Sequence, residues 1–404
     1  MIFVGIDWAE DHHDVDVRDN DGNQLVRRRV KHGVAGLGDL HDMVSLLTDA
    51  PDEVVIGIET DRGLLVSSLV AAGYQVHAIN PRSVDRYRDR YALSGAKSDA
   101  ADAMVLAELV RSDRHHHRRV AGDSGEVEGL KVLARNHQSL IWSRTRHVLQ
   151  LRNLLLEYYP AFVAAASGKV GTRDALAVLA LVPDPTTGSK ISRGRIITAL
   201  RRAGRQRYLD VTAERFFTEL HAPHLVASDQ ITVASTASAQ TLVAVITAFD
   251  NQIAQLELLL NEQFRAHPAA PILSSLPGLG PVLGARLLSE FGDDPKRFAD
   301  ARSRKNYAGT SPITRASGKS SAVVARFVRN RRLADACNRW AFTSLSSSPG
   351  SRRYYDELRS NGKTHSQALK ALSNRLVGIL HGCLEHGTSY DESLAWHRYQ
   401  PMAA

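Results

Sequence analysis

The sequence predicts a mixed α/β domain at the N-terminus, followed by two largely helical regions. Short apolar or alternating runs separated by turns fill residues 1 to about 112. Apolar residues then recur at three- to four-residue spacing in 126–160 and again in 242–260, and the composition changes from Pro268 onward. Alternation is typical of strands and the longer spacing of helices. Because 404 residues suit two to three domains, we expect domains at 1–125, 126–265 and 266–390, with a tail at 391–404.

The first elements predict a meander of three antiparallel strands. Ile2–Ile6 is a short apolar run, and His13–Val17 alternates with period two. The turn at Asn20–Asn23 then leads into Gln24–Val30. Alternating helices and strands follow: helix Val34–Leu47, strand Val54–Ile58, helix Leu64–Ala72, strand Gln75–Ile79 and helix Asp99–Val110.

This element order is that of a ribonuclease H-like fold, and one half of an actin-like kinase begins in the same way. Actin-like kinases follow the first-strand Asp with small Gly and Thr residues that hold phosphate. Here Asp7 is followed by the bulky and acidic segment Trp8–His12, which would repel a phosphate. The sequence therefore favours the ribonuclease H-like alternative.

Two long helices with an apolar seam are predicted in the middle of the chain. One contains Leu130, Leu151 and Tyr158, and the other contains Leu242 and Leu260. They indicate a coiled-coil or helix-hairpin arm, with two core helices of a bundle as the alternative. Between them, Arg193–Arg207 has six arginines in fifteen residues, which suit either a phosphate-contacting helix or a solvated face.

The charge balance is basic. Lys and Arg number 51 against 43 acids, giving a net charge of +8, and there are 17 histidines. Such an excess suits a polyanionic partner, most commonly nucleic acid, although a merely basic enzyme has the same balance. Cys337 and Cys383 are too few for a disulfide framework. The N-terminus lacks the pattern of a signal peptide, and no run suggests a membrane span, so we expect a cytoplasmic protein.

Four carboxylates have the spacing of a two-metal site. Asp7 ends the first strand and Glu59 ends the central apolar one, and these strands are neighbours in a ribonuclease H-like sheet. Asp99 and Asp102, three residues apart on a helix, share a face. Converging acids repel one another unless cations lie between them, and hard oxygen ligands favour Mg²⁺ or Mn²⁺. The alternative for Asp99 is a helix N-cap.

Two C-terminal segments suggest contacts to phosphate. Leu276–Phe291 has a helix-hairpin-helix pattern in which Gly278 and Gly280 would let backbone N–H groups approach DNA phosphates; a plain helix start is the alternative. Tyr307–Ser321 is predicted to be a serine-rich loop. A nucleophilic serine needs activating cations or a base, and Ser317 has basic neighbours that could hold a phosphate: Arg315, Lys319, Arg326, Arg329, Arg331 and Arg332.

These motifs resemble DEDD transposases of the insertion sequence one-ten family, which are related to the Piv-type DNA invertases. The resemblance covers nearly the whole chain. Its N-terminal motifs are Gly5–Asp7, Gly57–Thr60, Asn80–Arg82 and Lys97–Ala103. Its C-terminal motifs are Leu276–Pro281, Gly309–Pro312, Ser317–Ser320, Arg353–Tyr355 and Gly362–His365.

The resemblance implies a RuvC-like DEDD domain that binds Mg²⁺ through the four acids, and a mainly α C-terminal transposase domain. It further implies that Ser317 forms a covalent phosphoserine link to DNA, although Ser311, Ser320 and Ser321 lie nearby. A structured bridge RNA would guide the enzyme to donor and target DNA. Coiled-coil arms would join the subunits of a homo-oligomer, a dimer or tetramer, whose composite sites pair the acids of one subunit with the serine of another.

The function expected from this resemblance is a DNA recombinase that excises and inserts its own element. The leading alternative is a Mg²⁺-dependent nuclease of the Holliday-junction resolvase type, which uses water as the nucleophile at the same acids. A third class is a non-catalytic DNA- or RNA-binding protein that has kept the fold. A covalent DNA adduct distinguishes the first class from the second.

Overall fold

The structure is a computed structural model that describes residues 1–88, 98–120, 122–317, 320–324, 326 and 329–397. The chain divides into two compact units. The first comprises Met1–Asp123 together with Asp294–Arg297, and the second comprises Ser124–Asp293 and the chain from Phe298 onward.

A six-stranded mixed sheet forms the centre of the first unit. Its strands are β1 (Ile2–Trp8), β2 (His12–Arg18), β3 (Gln24–Lys31), β4 (Val54–Ile58), β5 (Gln75–Ala78) and β6 (Arg118–Arg119). They lie in the order β3-β2-β1-β4-β5-β6. The first three strands are antiparallel, β4 and β5 continue parallel to β1, and β6 is an antiparallel edge. The predicted α/β N-terminal domain and its meander are confirmed.

Helices cover both faces of this sheet. They are α1 (Val34–Ser45), α2 (Leu64–Ala71), α3 (Pro81–Arg88) and α4 (Asp99–Ser112), with short 3₁₀ turns at Pro51–Glu53 and Arg114–His116. On one face, α1 and α2 pack on strand residues such as Ile6 and Ile56. On the other, α3 and α4 pack on Phe3 and Val55. Because neighbouring strand residues point to opposite faces, β1 and β4 serve both cores.

Two glycines bring α4 unusually close to the sheet. Gly5 and Gly57 are register partners on β1 and β4. A Cβ at Gly5 would lie 1.9 Å from the Ala103 carbonyl oxygen, and a Cβ at Gly57 would lie 2.6 Å from that of Leu106. Any larger residue would therefore push the helix away from the strands.

The second unit begins with a helical region. Its helices are α5 (Gly125–Tyr158), α6 (Pro160–Ala165), α7 (Arg173–Leu181), α8 (Pro185–Gly188), α9 (Arg193–Arg202), α10 (Leu209–His221) and α11 (Asp229–Ala266). The long helices α5 and α11 pair antiparallel, since Arg144 binds Asp250 while His137 Nε2 lies 3.3 Å from Glu257 Oε1.

The antiparallel pair joins two hydrophobic cores. Leu151 and Leu155 of α5 pack with Ala239 and Ile246 of α11 in a core completed by helices α6, α7, α9 and α10. At the other end, Leu130 and Phe264 belong to the core of the C-terminal helices. In the described chain, Asp229–Ala266 is the one helix long and apolar enough to cross a membrane, with a window of mean hydropathy 1.5. A single helix of this kind is weak evidence for a span, and this one pairs with α5.

Helices dominate the C-terminal part, as predicted. They are α12 (Ala270–Ser275), α13 (Pro281–Phe291), α14 (Ala301–Ala308), α15 (Arg331–Ser344), α16 (Pro349–Ser360), α17 (His365–His386) and α18 (Glu392–Ala395). The predicted serine-rich loop is wrong in part, because Ile313–Ser317 (β7) and Ser320–Val324 (β8) form an antiparallel hairpin. Ile313 and Val324, which are cross-strand partners, give these strands apolar ends that the overall composition of the segment conceals.

Candidate catalytic site

Strands β1 and β4 place two of the predicted acids side by side. Ile6 and Ile58 are register partners in the parallel pair, so Asp7 and Glu59 follow at the same level. Each acid comes two residues after one of the paired glycines. Since strand residues two apart share a face, the side chains of Asp7 and Glu59 project from the sheet on the side that α4 covers.

Helix α4 supplies the other two acids at its N-terminal end. The Ser98 side chain caps the helix, its Oγ accepting a hydrogen bond of 3.2 Å from the Ala101 N–H. The alternative that Asp99 is the N-cap is therefore wrong, and its carboxylate remains available for another role. Asp99 is exposed at the first helical position, whereas Asp102 is buried one turn later.

The electrostatics of Asp7 reflect this convergence. Burial is the largest cause of a rise in the pKa of Asp7 to about 6, and repulsion from Asp102, Asp99, Glu59 and Asp14 follows in that order. A carboxylate interacts in this way only with charges nearby. The structure therefore brings the four predicted acids into one electrostatic cluster, together with Asp14, and a bound cation would relieve their repulsion.

Two arginines already neutralise part of the cluster. Arg88 donates to Asp102 Oδ1 from Nε at 2.8 Å and from Nη2 at 2.5 Å. Arg29 donates to Asp14 at 2.8 Å, and its Nη2 lies 3.8 Å from Asp99 Oδ2. Both of these Arg88 bonds are made to one oxygen of the Asp102 carboxylate.

Sequence reasoning missed two further residues beside these acids. Asp14 is the cross-strand register partner of Asp7. His12, Asp14 and Asp99 bring one ligand atom each to within 4.8 Å of one another, as a metal site requires. The Nε2 atom of His12 is buried and has no hydrogen-bond partner among the described residues. The tight turn between β1 and β2 was the available signal, because it fixes which residues face Asp7.

The donor set fits a hard divalent cation. Carboxylate oxygens predominate, their charges exceed what Arg29 and Arg88 supply, and a histidine nitrogen lies at the rim. Hard divalent ions prefer oxygen ligands of this type. The cluster is thus a candidate site for a divalent metal ion.

Ser317 lies at the end of the hairpin. It is the last residue of β7, its side chain is exposed, and its backbone pairs with Ser320. Ser311, a neighbouring alternative, instead donates to Asn374 Oδ1 at 3.3 Å. Lys319 lies outside the described residues, and so does the side chain of Arg315.

The predicted basic contacts differ in how freely they could reach a ligand. Arg329 and Arg331 are exposed, and Arg326 donates to Asn306 Oδ1 at 3.2 Å. Arg332 instead donates to the Arg135 carbonyl and to Ser139 Oγ, both at 2.8 Å. Its guanidinium also stacks over the Trp142 ring. Arg332 therefore ties α15 to α5 within the protein.

The two glycines of the helix-hairpin-helix pattern have different surroundings. Helices α12 and α13 flank Leu276–Gly280, as the pattern predicts. Gly278 has a φ of +71°, and a Cβ there would lie 2.6 Å from backbone atoms of Thr343. Gly280 faces open space and is exposed. Gly278 is thus required by the protein's own packing, whereas Gly280 is the one open to a ligand.

Comparison with known proteins decides the family. The family model for IS110-type DEDD transposases, described as "Transposase", matches residues 4–160, which include the four acids. A second model, "Transposase IS116/IS110/IS902 family", matches residues 270–356. The "Mini-circle putative transposase for IS117" of Streptomyces coelicolor is 40% identical over 98% of this chain and 96% of its own length. The chain belongs to the IS110 family of transposases.

Two more relatives align with this transposase over nearly full length. The insertion element IS900 uncharacterized 42 kDa protein of Mycobacterium paratuberculosis is 31% identical over 96% of this chain and 97% of its own length. The IS116 uncharacterized 44.8 kDa protein of Streptomyces clavuligerus is 30% identical over 94% and 93%. The IS110-family transposase described here is accordingly an enzyme that binds, cleaves and rejoins DNA.

Proposed function

We propose that this transposase excises and inserts its own insertion sequence by serine recombination, with a bridge RNA selecting the donor and target DNA. The observation that carries the proposal is the convergence of Asp7, Glu59, Asp99 and Asp102: burial, and then repulsion from the other three acids and Asp14, raises the pKa of Asp7 to about 6. Such a cluster is costly in the absence of a cation, and its position at the ends of two central strands suits phosphodiester chemistry.

The proposed fold of the first unit is RuvC-like. A three-stranded antiparallel meander, extended by the parallel strands β4 and β5, supports this assignment. The close packing of α4 against Gly5 and Gly57 supports it further, because it directs the helix toward the acids of both strands.

Asp7, Glu59, Asp99 and Asp102 would hold Mg²⁺, or Mn²⁺ in its place. When bound, the metal would stabilise negative charge on the attacked phosphate and on the leaving oxygen. Arg88 holds the Asp102 carboxylate in a fixed orientation. Arg29 does the same for Asp14, which lies opposite Asp7 in the sheet.

Ser317 is the proposed nucleophile. Its Oγ loses a proton and forms a bond to phosphorus, while one P–O bond of the DNA backbone breaks and the leaving deoxyribose oxygen takes up a proton. In the reverse step, a hydroxyl of the new partner strand attacks the phosphoserine and regenerates Ser317. No water is consumed, so the strands are rejoined without an external energy source. The exposure of Ser317 supports this role, since a DNA phosphate can approach it.

A composite site made by two or more copies completes the proposal. The acids belong to the first compact unit and Ser317 to the second, and the composite site would pair the acids of one copy with the Ser317 of another. The antiparallel pair α5–α11 would serve as the coiled-coil arm that joins the copies. Exposed apolar residues on α11, including Leu258 and Val233, support such a contact. The basic net charge of +8 suits both DNA and a structured guide RNA.

Adduct mapping tests this mechanism. The protein is incubated with Mg²⁺, element-end DNA and the flanking transcript, then denatured and digested, and any DNA-linked peptide is sequenced. We expect a nucleotide on the peptide that contains Ser317. An adduct on Ser311, Ser320 or Ser321 would keep the mechanism and move the nucleophile. Cleaved DNA without an adduct would favour the alternative, a Mg²⁺-dependent nuclease of the Holliday-junction resolvase type that uses water.

A further inference from the structure

A cavity of about 520 Å³ lies beside the hairpin in the second unit. Val323 and Val324 of β8 form one side, and α16 and α17 contribute Tyr354, Leu358 and Ala371. Most of the lining is apolar, and the volume lies within the range of pockets that bury a small organic ligand. None of the four predicted metal ligands is among its described lining residues.

The charge around the cavity has one sign. Arg326, Arg329, Lys363 and Lys370 line it, and its described lining contains no carboxylate. None of these four cations makes an ion pair with a described residue, whereas elsewhere in the same unit Arg339 pairs with Asp335 and Arg352 with Asp356. The Nε atom of Arg326 is buried and has no hydrogen-bond partner among the described residues. The cavity therefore offers positively charged hydrogen-bond donors to an anion.

The combination of apolar walls, an aromatic ring and unpaired cations matches the chemistry of a nucleotide. A base can lie against Tyr354 and the aliphatic side chains, as single-stranded nucleic acids stack on aromatic residues. The attached phosphate is then within reach of arginine and lysine donors. A flat duplex backbone would contact the cations but would leave the apolar interior empty.

We propose that this cavity holds one unstacked nucleotide of the DNA strand on which the enzyme acts. The inference rests on the proposed function, because it places the cavity in the DNA path of the serine hairpin. Val323 pairs with Thr314 across the hairpin, and Ser317 lies three residues further along β7. At about 3.3 Å per strand residue, the cavity wall and Ser317 are about 10 Å apart, or about three base steps of one DNA strand.

Site-specific photocrosslinking tests the proposal. Element-end duplexes carrying a single 4-thiothymine at successive positions around the cleaved bond are irradiated with the full-length protein, and the linked peptides are sequenced. We expect one position, within a few base steps of the cleaved bond, to link to the α16 peptide containing Tyr354. A pattern spread evenly over all positions, or no link to this peptide, would overturn the proposal.

Two variants and one control sharpen the result. Lys370→Glu should lower the crosslink yield at that position at least tenfold and reduce the salt dependence of DNA binding by about one counterion. Ala371→Trp, which fills the cavity, should remove the crosslink while leaving crosslinks at other positions. Arg302→Glu makes the same change of charge at an exposed residue of α14 that does not line the cavity, and its crosslink should stay within twofold of wild type. Equal losses in all three variants would contradict the proposal.

The same samples separate this inference from the proposed mechanism. A Ser317 adduct without the Tyr354 crosslink would overturn the cavity assignment alone. The crosslink without an adduct would overturn serine recombination and keep the cavity as a DNA site. A parallel arm uses guide transcript labelled with 4-thiouridine. If the peptide linked to that RNA and not to DNA, the proposal would be wrong about its ligand.

Discussion

The acidic cluster and the serine hairpin are built in opposite ways. Asp7 and Glu59 are fixed by the register of two central strands, and α4 is held against those strands at Gly5 and Gly57. Ser317 lies at the exposed end of a two-stranded ribbon. An isolated pair of strands is marginally stable. The comparison teaches that the charged centre is positioned by a buried core, whereas the proposed nucleophile is carried at the exposed end of a small two-stranded element.

The largest expected effect is loss of catalysis when one acid is removed. Asp102→Asn keeps the size of the side chain and removes its charge, so we expect recombination to fall by at least about 10²–10³-fold while DNA binding stays within about twofold. Recombination and filter-binding assays measure the two effects. Asp42→Asn, at an exposed position of α1, is the matched control and should behave as wild type. Normal recombination by Asp102→Asn would remove the acidic cluster from the mechanism.

The next effect tests whether the sheet positions the cluster. Gly5→Val inserts a side chain where even a Cβ would lie 1.9 Å from a backbone oxygen. We expect at least about 2 kcal/mol of destabilisation from overpacking, and weaker binding of Mn²⁺ as α4 moves. Thermal unfolding and metal titration measure these changes. Gly38→Ala is the control, because a Cβ there meets nothing within 4 Å; a loss of metal affinity in this control equal to that in Gly5→Val would contradict the account.

Proton competition should give a smaller, graded effect. Burial and neighbouring acids raise the pKa of Asp7 to about 6 from its ordinary value of 3.8. Metal affinity should therefore fall about tenfold per pH unit below pH 6 and level off above pH 7. In the metal-free protein, the free energy of unfolding depends on pH in the opposite direction from the metal affinity. The raised pKa stabilises the fold below pH 3.8, and this contribution is lost as the pH rises through 6.

Calorimetric titration of Mn²⁺ from pH 5 to pH 8 measures this dependence. Asp7→Asn removes the titrating group, so the change of slope in metal affinity near pH 6 should disappear in that variant. An unchanged slope would assign the titration to another residue.

The smallest effect is expected for stability at the hairpin. Because Ser317 is exposed, Ser317→Ala should change the free energy of unfolding by no more than about 0.5 kcal/mol, which denaturant unfolding can measure. The loss of the DNA adduct in this variant would then result from the missing hydroxyl group and not from unfolding. A large loss of stability would mean that Ser317 is a structural residue, and would weaken the contrast between the two regions.

Much of the first unit could be predicted because its signals are local and repetitive. The alternation in His13–Val17 and the apolar run Val54–Ile58 predict strands that the structure confirms. Asp7 and Glu59 could be paired because parallel neighbours end at one edge. Asp14 and His12 were missed, since their nearness depends on the β1–β2 register, which no single strand encodes.

Other features depend on tertiary contacts that no local pattern contains. The composition of Thr310–Ser321 is typical of a loop, yet the pairing of Ile313 with Val324 makes a hairpin. The arginines from Arg326 to Arg332 were all predicted to contact phosphate, but Arg332 is used inside the fold because Ser139 and Trp142 lie beside it. The cation-lined cavity brings residues 309–312, 323, 324, 326 and 329 together with residues of α16 and α17, and no local pattern in the sequence predicts that contact.

The most direct test of the central claim mixes two inactive proteins. Asp7→Asn lacks one acid and Ser317→Ala lacks the proposed nucleophile, so neither alone should form the covalent DNA adduct. If the acids and Ser317 act together across subunits, mixing the two variants should restore the adduct on the Ser317 peptide of the Asp7→Asn protein. An adduct formed by Asp7→Asn alone at the wild-type rate would contradict the claim that the acidic cluster and the serine serve one reaction.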